Sequence, residues 1–64
     1  MRDINRIDTF CAEIAKLWKE NFPDWRFGQF IFNFLSWYGK DPFFLEEDKF
    51  LEQIKLFVAS MKGE

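Results

Sequence analysis

The sequence predicts an all-α fold, a compact bundle of three helices, and three observations lead there. Apolar residues recur at spacings of three and four in both the first and the last third of the chain. Pro23 and the Asp41-Pro42 pair divide the 64 residues into three stretches of helical length. In the middle third a helical stripe from Phe27 to Tyr38 fits the whole stretch better than a strand does.

The first helix is expected over residues 3–21. Ile4, Ile7, Phe10, Cys11, Ile14, Leu17 and Trp18 form its apolar face, and Asp3 is placed to accept an early backbone N–H. Pro23 ends it, because a proline pushes the preceding residue out of helical geometry. Cys11, on the apolar face, is expected to be buried as a small hydrophobe.

The second helix is expected over 25–38. Phe30, Phe32 and Phe34 alternate as a strand would, yet over the full stretch a helical stripe fits better. That stripe is Phe27, Phe30, Ile31, Phe34, Trp37 and Tyr38, with Arg26, Gln29, Asn33 and Ser36 opposite. Asp24 is the expected cap at its start, and Gly39 the left-handed residue past its end.

The third helix is expected over 46–61. Glu46, Glu47 and Asp48 stand at its start, where negative charge suits the helix dipole. Phe50, Leu51, Ile54, Phe57, Val58 and Met61 make its apolar face, and Lys62-Gly63 closes it. With no repeat and no linker, residues 1–64 read as a single domain.

Composition narrows the function. Ten of the fourteen aromatic residues fall between Phe22 and Phe44, more rings than one helical face holds. At about 150–250 Å² per ring, some aromatic surface is expected to stay exposed or to be covered by a partner. One cysteine and no histidine leave neither a disulfide framework nor the usual zinc ligands. That pattern fits a reducing cytoplasm, and no leader is expected at the start of the sequence. The longest weakly polar run, Phe27 to Tyr38, spans twelve residues, short of the roughly 20 a membrane helix needs. Net charge is −2 with no basic cluster, and neither the second nor the third helix offers a basic recognition face. Nucleic-acid binding is therefore not expected.

What remains is protein interaction. Trp25, Phe32 and Leu35 lie along a flank of the second helix away from its main stripe, with Gly28 between them to allow close approach. Arg26 and Trp37 adjoin this region, and Trp, Tyr and Arg dominate interface energetics. Arg26 is alternatively a structural partner for Asp24 or for the acidic start of the third helix. Asp41, Glu46, Glu47 and Asp48 form an acidic patch suited to a basic partner surface. Their spacing lacks the pattern of a calcium loop. A metal-dependent enzyme built on them is the alternative from another class, and no catalytic residue, metal or cofactor is expected. The partner is expected to be either another protein or a second copy of the chain, as a homodimer through the aromatic strip.

Met1-Arg2-Asp3 with Arg6-Ile7, Trp18, Pro23-Asp24-Trp25-Arg26-Phe27-Gly28-Gln29, Asn33, Asp41-Pro42-Phe43 and Glu46-Glu47-Asp48 occur here in order. In this the chain resembles a family of short bacterial and prophage-associated proteins. The resemblance covers nearly the whole chain and implies a small cytoplasmic protein with no catalytic residues to carry over. It admits a phage-type inhibitor of a host or defence protein. Phe30, Phe32 and Phe34 stand where the family pattern implies aliphatic residues.

Overall fold

Three α-helices follow one another in the computed structural model, which describes residues 2–63: α1 (Asn5–Asn21), α2 (Phe27–Tyr38) and α3 (Glu47–Met61). Met1 of the Met1-Arg2-Asp3 start, and the last residue of the 1–64 domain, lie outside the described residues. Among the described residues there is no strand, so the alternation of Phe30, Phe32 and Phe34 is subordinate to the helical period.

Each boundary has a local cause. Asp3 accepts the Asn5 N–H through Oδ1 at 3.0 Å, as expected of a capping carboxylate. The helix proper begins at Asn5 rather than at residue 3, after a tight first turn in which the Arg6 N–H reaches the Asp3 carbonyl. At the other end the Phe22 N–H donates to the Trp18 carbonyl at 2.9 Å, and Pro23 forbids a further turn.

α2 starts at Phe27, two residues later than the sequence suggested, and Asp24 does not cap it. The Arg26 N–H donates instead to Gln29 Oε1 at 2.7 Å, half of a capping box, so Trp25 and Arg26 belong to the connection before the helix. Gly39 closes α2 with φ of 72°, its N–H on the Leu35 carbonyl. α3 begins at Glu47 behind an extended Glu46, and Lys62 and Gly63 end it.

α1 and α2 both pack against α3, while their own backbones stay apart and meet mainly through side-chain rings. The buried core is Ile14 from α1, Phe30 and Phe34 from α2, and Ile54, Phe57 and Val58 from α3. Phe57 is its hub, with the rings of Phe22, Phe34, Trp37 and Trp25 centred 5.7–6.5 Å away. The Trp18 indole N–H donates to the Trp25 carbonyl at 2.9 Å and ties the end of α1 to the start of α2.

This core is small for the aromatic content. The accessible surface is 5028 Å², against about 4,400 Å² for an average folded monomer of this mass. Several side chains from the expected apolar faces stay largely in water, among them Ile4, Ile7, Phe27 and Met61. Cys11, expected inside, is exposed as well. α3 is one helix wide and covers only the nearer part of the apolar arcs of α1 and α2.

Candidate functional site

The uncovered parts of those arcs face one another across a groove of about 780 Å³. Ile7, Cys11 and Trp18 on α1 and Phe27 and Ile31 on α2 make its two walls. Successive residues of a helix turn about 100°, so Ile7, Trp18 and Cys11 fall side by side, just past the buried Ile14. Phe27 and Ile31 are one turn apart on α2, beside the buried Phe30 and Phe34. The connector closes one end with Pro42, Phe43 and Leu45, and Phe50 of α3 contributes to the lining. Its size lies within the range of natural binding pockets, about 300–1,000 Å³.

Local structure fixes the closed end. Asp41 Oδ1 accepts the Phe43 N–H at 3.0 Å, and the Leu45 N–H reaches the Pro42 carbonyl at 2.9 Å. This turn sets the rings of Phe43 and Phe44 edge to face, 4.8 Å apart, as an exposed pair. Phe43 lines the groove, whereas Phe44 stands outside it.

The residues singled out from the sequence do not form one surface. Trp25 is packed, not displayed: its ring stacks on Phe22 at 4.2 Å with the planes 7° apart and reaches towards Phe57. Phe32 is exposed and Leu35 half-buried, so that part of the strip stands as expected. Trp37 lies five residues beyond Phe32, about 140° away round the helix, and rests against Phe34 and Phe57. It shares no face with Phe32. Gly28 is exposed, with open space where a Cβ would stand.

The acidic patch is largely occupied by the protein itself. Arg2 Nη1 and Nη2 donate to the two carboxylate oxygens of Glu46 at 2.6 and 2.7 Å, and Arg6 Nε donates to Glu47 at 2.8 Å. The hydrogen bond from Arg2 and the charge of Glu46 raise the arginine further above its ordinary value. Asp48 Oδ1 accepts the Lys49 N–H and Asp41 accepts that of Phe43. Arg26 therefore does not meet the start of α3, and it makes no ion pair among the described residues. Nor do three or more Asp, Glu or Cys side chains converge among the described residues as a cation would require.

Sequence reasoning missed the groove, along with Phe43 and Phe44 as surface residues. A signal was present: on both α1 and α2 the apolar arc is wider than the roughly 100° stripe one neighbouring helix covers. No protein-family model, curated protein or solved structure matches the chain.

Proposed function

We propose that the chain is a small, non-enzymatic protein-interaction module that takes an apolar helical or aromatic segment of a polypeptide into the groove between α1 and α2. The observation that carries this reading is the groove itself, an open apolar channel between two helices that both pack on α3 and meet each other mainly through the Trp18 ring. Grooves of this kind receive amphipathic helices by their apolar face. Two further features support it. The net charge is −2, and the basic residues are spread along the sequence without a cluster for a phosphate backbone. No helix among the described residues is long and apolar enough to cross a membrane.

Cys11 is the only cysteine and lies in the groove, so a photo-crosslinker attached to its thiol samples whatever binds there. A Cys11→Ser, Ser60→Cys variant carries the same probe on exposed α3 surface as a control. The expected result is a discrete polypeptide adduct from Cys11 only, lost when Ile31→Asp places a charge in the groove wall. Equal adducts from both sites, or none from Cys11, would overturn the proposal.

A further inference from the structure

The groove does not stand alone as an apolar surface. On α2, Leu35 and Gly28 continue the arc from Ile31 round to the exposed Phe32. At the closed end, Phe43 lies on the rim and Phe44 beside it. Phe27, Phe32, Phe43 and Phe44 are 52, 72, 78 and 89% exposed. At about 200 Å² per side chain these four alone leave about 580 Å² in water. The largest apolar patch on a typical monomer is about 300–600 Å², and one side of a stable interface buries about 800 Å². Ile4, just before α1, and Ile7 on it, 75 and 47% exposed, account for most of the difference. Summed over these six side chains, in and around the groove, the apolar area in water is about that of one half of a dimer interface. The surplus of about 600 Å² over an average folded monomer agrees with it.

We infer that the occupant of the groove is a second copy of this chain, with Phe44 of each copy seated in the groove of the other about a two-fold axis. This rests on reading the groove as a protein-binding site and names what fills it. Two concave surfaces cannot fill one another, so self-pairing needs a convex element next to the groove. The Phe43–Phe44 pair is that element: a preformed edge-to-face knob on a turn held by Asp41 and Pro42. A two-fold axis makes contacts reciprocal, so one knob beside one groove supplies both halves of the interface. Charge does not oppose the pairing strongly. Arg6 and Glu47 on the rim neutralise each other, which leaves Asp41 as the one lining charge without an ion pair among the described residues.

Sedimentation velocity from about 1 to about 100 µM tests this, a range in which a dimer of ordinary affinity forms. The expected species is a dimer of the 7.8 kDa chain. Phe44 is 89% exposed and outside the core, so Phe44→Asp should remain fully helical. It should weaken the dimer about thirtyfold or more, as loss of a central aromatic anchor does, while Phe44→Leu keeps most of the affinity. Cys11 reports the location: its thiol should react slowly with a water-soluble disulfide reagent in the dimer and rapidly in Phe44→Asp. A monomer across the whole range would overturn the inference, as would an undiminished Phe44→Asp dimer or a dimer whose Cys11 reacts freely. If the chain is a monomer yet Cys11 crosslinks a different polypeptide, self-pairing fails and the groove stands as a binding site.

Discussion

Replacing Phe57 by leucine keeps an apolar side chain at the hub of the core and removes the ring. Phe57 is 1% exposed and has four ring neighbours, Phe22, Trp25, Phe34 and Trp37, one pair edge to face and three tilted. Each aromatic pair contributes about 0.5–1.5 kcal/mol beyond its buried area. The four share one ring and do not add independently, so the expected cost is about 2–3 kcal/mol. A 64-residue domain has a total stability of about 3–10 kcal/mol, and the substitution therefore removes a large fraction of it. Urea unfolding, followed by far-UV circular dichroism and tryptophan fluorescence, measures the effect. With a slope of about 1 kcal/mol per molar, the midpoint should fall by about 2–3 M. The melting temperature should fall by roughly 10–20 °C. Phe32→Leu, at a position 72% exposed, is the control and should stay within about 0.5 kcal/mol. Both are best measured in a Phe44→Asp background, so that association does not enter the stability. A Phe57→Leu cost below about 1 kcal/mol, or equal to that of Phe32→Leu, would refute the placement of Phe57 at the centre of the ring cluster.

Other expectations follow from single contacts. Trp18→Phe keeps a ring but leaves the Trp25 carbonyl without its indole donor, and should cost about 1–1.5 kcal/mol in urea unfolding. Gly39→Ala should cost about 1–2 kcal/mol by the same assay, because φ is 72° there although a Cβ meets no close neighbour. Gly28→Ala has the opposite sign: the site is helical and open, so thermal unfolding should show a gain of about 0.5–1 kcal/mol. The hydrogen bond to Glu52 raises the Lys49 pKa, so the pair stabilises the fold below the ordinary lysine value. That support fades as pH rises through the raised one, and melting curves across the alkaline range should show a small decline there, weaker in Glu52→Gln.

Where the fold was legible, the signal was periodicity. The buried faces of α1 and α3 include Ile14, Ile54, Phe57 and Val58, all on stripes visible in the sequence, and Pro23 and Gly39 mark helix ends where expected. The start of α2 was less legible because two side chains compete to cap it. Gln29 reaches back to Arg26, and this moves Trp25 off the helix and against Phe22. Exposure was the harder question. A wheel places Cys11 and Phe27 on apolar faces, but which part of a face is covered depends on where α3 lies, and that is set by three-dimensional packing. The acidic run suggested an outward patch. It is anchored by Arg2 and Arg6, 44 and 41 residues away in sequence, a pairing that local spacing does not reveal.

The place of α3 in the chain bears on how the protein is made. α1 and α2 find their main common support in a helix that is synthesised after both of them. Until Ile54, Phe57 and Val58 leave the ribosome, Phe30 has only Trp18 and Phe22 to pack against, Phe34 lacks Phe50 and Phe57, and much of an aromatic-rich segment waits in water. Chains in that condition are prone to associate through exposed apolar surface. The nascent protein gains little from early folding of its first half and acquires its structure in one late step. Lesions that shorten or delay α3 should therefore show up first as lost yield in the cell, well before any change in what the finished molecule binds.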